Sequence, residues 1–186
     1  MPKIYKITAA IDRISDFIGK IAMYLAMILL AVVVFEVISR RFFNAPTVWT
    51  YELSSMLFGA FIMFIMPYGM LHKVNVSVDL VTQKFSVKTQ QIIDLLTYFI
   101  FFFPFMLVLL YAGWKFALSS WQVQETSWSN WKPPLYHFKT CIPVAAFFTV
   151  LQGVSEFLKR LMILKGHQPP PVPGEKVEKA EEVSHG

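Results

Sequence analysis

Few side chains in this sequence of 186 residues have the types and spacing that enzymes or metal sites use. The single cysteine, Cys141, has no partner for a disulfide or a CxxC site, so we expect it to be a small apolar residue. A haem would need a histidine at mid-membrane depth. The histidines instead lie at the edges of apolar runs or near the C-terminus: His72, His137, His167 and His185. With no P-loop, paired carboxylates or nucleophile elbow either, the sequence predicts no catalytic, cofactor or metal residue, and no enzyme.

One acid, Glu36, lies at the end of an apolar run. A lone acid inside a membrane can bind a proton or a substrate. However, Glu36 lies four residues before Arg40, a spacing at which side chains on one helix face can pair. We therefore favour a structural ion pair near the membrane surface over a transport site.

The elements that must position these residues are membrane spans, because the chain is 55% apolar and 16% charged. Four apolar runs are long enough, at about 1.5 Å per residue, to cross a hydrocarbon core of about 30 Å. We predict an all-α integral membrane protein with a four-helix transmembrane domain over residues 1–162. Its spans are expected at about residues 17–38, 53–71, 92–118 and 138–160.

Three segments outside these spans have patterns of their own. Isoleucines recur at steps of three and four residues near the N-terminus, which predicts an amphipathic helix. They are Ile4, Ile7, Ile11, Ile14 and Ile18. This helix either lies in the membrane surface or forms the first turns of a long tilted span. A second interfacial helix is expected in the connector after the second span, and residues 163–186, Pro-rich and charged, predict a disordered cytoplasmic tail.

Residues around the second span are predicted to anchor it at the two membrane surfaces. Trp49 and Glu52 follow the turn at 44–46, where the chain meets the headgroups. His72 ends the span, and Asp79 caps the connector helix or pairs with Lys73. The complete set of expected anchors is Arg41, Trp49, Glu52, His72 and Asp79.

Small residues at four-residue spacing predict close helix packing, within the chain or against a partner. Ser55 and Gly59 form one such pair in the second span. The last span has a longer register with Ala145, Thr149 and Gly153. The loop before that span contains Trp128 and Trp131, which suit either an interfacial aromatic belt or a docking surface.

The distribution of basic residues predicts the orientation of the chain in the membrane. Four spans place both termini on one side, and that side carries twelve of the 17 Lys and Arg residues. The positive-inside rule therefore places both termini in the cytoplasm. The net charge of +5 is explained by this orientation, so we expect membrane lipid and not nucleic acid as a partner.

The order of several short motifs resembles a known family. RFFNAP at 41–46, followed by Trp49 and Glu52, an apolar run ending at His72, and the Val78-Asp79 pair resemble the small membrane subunit of tripartite ATP-independent periplasmic (TRAP) transporters, the DctQ family. WSNWKPPL at 128–135, with Ile142-Pro143 and LQG at 151–153, resembles one branch of it. The likeness covers roughly residues 10–162. It departs at Tyr51-Glu52, where many members have two consecutive acids.

This resemblance implies a bacterial inner-membrane transporter of three components. A periplasmic binding protein would deliver a carboxylate or similar organic anion to a large membrane subunit, which moves it with sodium ions. The small subunit would brace the large one and supply no substrate or sodium ligand. Trp128 and Trp131 are then the expected contact with the binding protein.

Two alternatives remain from the sequence. One is a small self-sufficient four-span exporter that uses Glu36. The other is a respiratory membrane anchor that binds haem or quinone.

Overall fold

A computed structural model describes residues 2–72 and 87–173, with side chains from residues 4–72 and 88–173. Its helices are α1 (Pro2–Phe42), α2 (Thr50–Leu71), α3 (Val87–Thr97), a π-helical turn (Tyr98–Phe102), α4 (Phe103–Gln122) and α5 (Leu135–Leu164). Four stretches of the described chain are long and apolar enough to cross a membrane: Ile4–Phe42, Thr50–Leu71, Lys88–Gln122 and Leu135–Leu164. The prediction of an all-α membrane protein is confirmed.

The N-terminal amphipathic segment forms the first turns of α1, a single helix of 41 residues. Its isoleucines divide between two environments: Ile11 and Ile18 are buried, whereas Ile7 and Ile14 are exposed. The predicted connector helix, including Asp79, lies outside the described residues. In the predicted tail, 163 and 164 extend α5, and 165–173 follow without helix.

A π-helical turn joins α3 to α4 within one long apolar stretch. Phe103 donates its backbone N–H to the carbonyl of Tyr98, five residues earlier. Pro104 follows directly, and a proline has no N–H for the next bond of the helix. A π turn can absorb this break without ending the helix, and such turns change the direction of the side chains they contain.

The described chain divides into two compact units, to both of which α1 and α5 contribute. The first unit consists of Met1–Phe17, Pro67–Leu107 and Phe148–Gly186, and the second of Ile18–Met66 and Val108–Phe147. Of the four membrane-length stretches, the last is the most buried, with 44% of its apolar window inside the protein against 6% or less for the others. Helix α5 is therefore the main internal packing element.

Candidate functional site

The first unit contains a buried charged cluster formed by Asp12 of α1 and two residues of α5. The Lys159 ammonium lies 2.9 Å from Asp12 Oδ2 and 2.7 Å from Glu156 Oε1. All three side chains are at least nine-tenths buried. Burying such charges is costly unless they are paired, so the single ammonium holds two carboxylates and joins α1 to α5.

Neutral side chains add hydrogen bonds to this cluster. Ser155 donates to Asp12 Oδ1 at 2.9 Å, and the Gln152 amide donates to the same oxygen at 3.3 Å. Gln152 in turn accepts a bond of 2.7 Å from Ser15. Donors on both helices therefore turn toward each other. Asp12 Oδ2, by contrast, has no hydrogen-bond partner within the described residues and is compensated only by its ion pair with Lys159.

A second ion pair joins α5 to α3 in the same unit. Arg160 lies 3.1 Å from Asp94 Oδ2 and donates to Gln91 Oε1 at 3.4 Å. Its guanidinium also lies over the Tyr98 ring, 6.0 Å from the centroid. Adjacent basic residues on α5 therefore connect it to two different helices.

The sequence indicated this network only in part. The spacing of Glu156 and Lys159 indicates an i,i+3 pair at the end of the last span, and this pair is present but buried. Asp12 is a charged residue outside the isoleucine pattern of the N-terminal segment, yet it is buried. The missed signal is the helical spacing of Thr8, Asp12 and Ser15, a polar stripe that matches polar residues on α5.

His72, expected at the end of the second span, follows α2 directly and lies within the first unit. Its Nε2 lies 3.6 Å from Asp16 Oδ1, and its ring packs on Tyr68 with a centroid distance of 4.2 Å. The other expected anchor on this side, Asp79, is outside the described residues.

In the second unit, Glu36 closes the turn between α1 and α2. Arg40 Nη2 lies 2.7 Å from its Oε1, which confirms the expected i,i+4 pair. The other oxygen accepts the backbone N–H of Thr47 at 3.3 Å and the Thr47 hydroxyl. Both carboxylate oxygens are thus occupied. Arg41, the next residue on α1, is exposed.

Glu52 fixes the segment Thr126–Pro134, which we call the Trp128 loop. Ser129 donates to Glu52 Oε2 at 2.7 Å, and Ser127 donates to Oε1. The ends of the loop also pair with each other: the Ser127 N–H donates to the Pro133 carbonyl at 3.0 Å. A carboxylate on α2 therefore holds a loop that lies more than seventy residues later in the sequence.

Aromatic rings from α1, from the residue just before α2 and from the Trp128 loop pack together near Glu52. Trp49 stacks on Phe35 with a centroid distance of 5.8 Å, and Trp131 packs on Trp49 at 6.5 Å. Trp128 is fully exposed, at 100% of its reference area, whereas Trp131 is 43% exposed. Of the two expected contact residues, only Trp128 is thus entirely available to another molecule.

Glu125 holds the start of the Trp128 loop to α5. Lys139 and Ser120 both donate to its carboxylate, the latter at 2.8 Å. The Lys139 bond, with a smaller effect from Ser120, lowers the pKa of Glu125 below its usual range. The Leu135 N–H also donates to the Glu125 carbonyl at 2.9 Å, which fixes the start of α5.

Two of the predicted small residues have large aromatic neighbours. A Cβ added to Gly59 would lie 2.8 Å from Phe138 Cζ, and one added to Gly153 would lie 2.1 Å from Phe102 Cε1. Phe102 belongs to the π turn. The other small residues differ in environment: Ala145 and Thr149 are buried, and the exposed Ser55 donates to the Tyr51 carbonyl.

Within residues 2–72 and 87–173, no group of three or more His, Cys, Asp or Glu side chains could hold a metal ion. A search of curated proteins finds no match for the sequence. Residues 9–162, however, match the family described as Tripartite ATP-independent periplasmic transporters, DctQ component. Because this match covers most of the chain, the protein belongs to the DctQ family, the small membrane component of TRAP transporters.

Proposed function

We propose that this chain braces the large membrane subunit of a TRAP transporter during sodium-coupled uptake of an organic anion. The binding component of the system would deliver the anion, a carboxylate or similar compound, from the periplasm. The chain would lie in the bacterial inner membrane with both termini in the cytoplasm, the orientation that the excess of basic residues on the terminal side supports.

The observation that carries this proposal is the state of the buried polar groups in the first unit. A carrier needs polar groups that are available to a solute inside the membrane. Here Lys159 forms ion pairs with both Asp12 and Glu156, and Gln152 and Ser155 donate hydrogen bonds to Asp12 Oδ1. A cluster of this kind supports fixed helix packing. Glu36, the acid that an exporter would use, is likewise occupied by Arg40 and Thr47.

Reconstitution tests the bracing role directly. Vesicles would contain this chain alone, the large subunit alone, or both, with the binding component and a sodium gradient supplied in each case. We expect uptake with both subunits, much weaker uptake with the large subunit alone, and none with this chain alone. Transport of an organic acid by the isolated chain would contradict the proposal.

We also propose that Trp128 and Trp131 contact the binding component. Both belong to the Trp128 loop, which Glu52 holds in place. The substitution Trp131→Ala should reduce uptake while the two membrane subunits still copurify. Full uptake by this variant would remove Trp131 from the contact.

A further inference from the structure

Trp128 stands out because a tryptophan that could bury about 150 to 250 Å² of surface is left fully exposed. Its neighbours in the loop are polar: Ser127, Ser129 and Asn130. Trp131, Pro133 and Pro134 belong to the same loop, but the fully exposed Trp128 ring packs on none of them.

The two residues that flank Trp128 are both bonded to one carboxylate. Ser127 and Ser129 each donate to a different oxygen of Glu52. Because both flanking side chains turn toward α2, the side chain between them is directed away from it. Ser129 Oγ also accepts the N–H groups of Trp131 and Lys132, at 3.2 and 3.3 Å. The backbone on both sides of Trp128 is therefore held in place before any partner arrives.

The charges around the loop indicate the chemistry of that partner. All three acids of the second unit are engaged internally: Glu36 with Arg40, Glu52 with the loop serines, and Glu125 with Lys139. Lys132, which belongs to the loop, is exposed and makes no ion pair within the described residues. The surface that remains is apolar at Trp128 and positive beside it, which is complementary to a recess with an acidic rim.

We propose that Trp128 is the anchor by which the periplasmic binding component docks, and that Glu52 is the residue that positions it. The ring enters an apolar recess on the partner, and a carboxylate at the rim of the recess faces Lys132. Preorganisation of this kind increases affinity because less freedom is lost on docking. This inference rests on the proposed function, since it names the chemistry of the same partner.

Docking of the purified binding component to the two-subunit membrane complex in nanodiscs tests the proposal. Trp128→Ala should raise the Kd by about 30-fold or more, the effect expected of a central tryptophan anchor. A matched control is Trp114→Ala, which removes another exposed tryptophan, on α4 and outside the loop, and should leave the Kd unchanged. Added salt and Lys132→Glu should both slow association.

The positioning role of Glu52 has its own readout. Glu52→Gln should weaken docking in the normal background, because an amide has one acceptor oxygen for two serine donors. In the Trp128→Ala background the same change should have no further effect, since Glu52 acts through Trp128. Equal effects in both backgrounds would show a general structural role and overturn this assignment.

Two results would overturn the role of Trp128 itself. Unchanged docking of Trp128→Ala, together with quenching of Trp128 by brominated lipid, would assign the ring to the membrane surface. Failure of Trp128→Ala to assemble with the large subunit would place the residue in that interface instead. Neither result affects the reconstitution test, which compares uptake with and without this chain and so judges the bracing role separately.

Discussion

Replacing Lys159 by methionine tests whether the buried cluster of the first unit holds the helices together as charges. The change keeps the length of the side chain and removes the ammonium that lies 2.9 Å from Asp12 and 2.7 Å from Glu156. Two carboxylates then remain buried without a cation. Removing one partner of a buried ion pair costs about 3 to 5 kcal/mol, so the free energy of unfolding should fall by that amount.

A role of Lys159 in hydrogen bonding alone predicts a much smaller loss in the free energy of unfolding. Hydrogen bonds between membrane helices contribute on average about 0.6 kcal/mol each. If Lys159 acted only as a hydrogen-bond donor, the loss on substitution would lie near 1 kcal/mol. The two explanations therefore differ enough to be separated by experiment.

Reversible unfolding in mixed micelles of mild detergent and dodecyl sulfate, followed by tryptophan fluorescence, measures this difference. Lys165→Met is the matched control, because Lys165 is exposed just after α5, and its loss should stay within about 0.5 kcal/mol. Neutralising the two acids as well, with Asp12→Asn and Glu156→Gln, should restore most of the stability lost in Lys159→Met. A loss below about 1 kcal/mol in Lys159→Met alone would refute the charged-cluster explanation.

Two further predictions concern packing and pH. Gly153→Ala should destabilise the protein by about 1 to 3 kcal/mol in the same assay, because the new methyl group would overlap Phe102. Gly69→Ala, with nothing within 4 Å of the added carbon, should be neutral or slightly stabilising, and equal losses would contradict this account. The pKa of Glu125 is lower in the folded protein than in the unfolded chain, so its bond to Lys139 stabilises the loop at pH values above the usual carboxyl pKa. This stabilisation is lost as the pH falls through the folded-state pKa. Tryptophan fluorescence should change with this loss below about pH 4.5, and the change should be absent in Glu125→Gln. The same pH dependence of fluorescence in Glu125→Gln would contradict this role of Glu125.

The length and apolar content of the runs were enough to predict the helices. A continuous apolar run long enough to cross lipid at the rise of a helix satisfies its backbone hydrogen bonds as a helix, so the length and composition of the runs indicated the class of protein. The pair of Glu36 with Arg40 could also be predicted, because its spacing is local to one helix. The pair of Glu156 with Lys159 is local in the same way, because its i,i+3 spacing lies within one helix.

Contacts between distant segments could not be predicted in this way. Asp12 and Lys159 are separated by most of the chain, and no local rule indicates that their helices meet. Glu52 was expected to anchor α2 at the membrane surface, and its bonds to Ser127 and Ser129 were not predicted. Helical periodicity determines which residues share a face, whereas the partner of that face depends on how the helices pack. The sequence by itself therefore determined the membrane class, the helices and the local pairs, and tertiary structure alone decided that Asp12 is buried and that Trp128 is held outward.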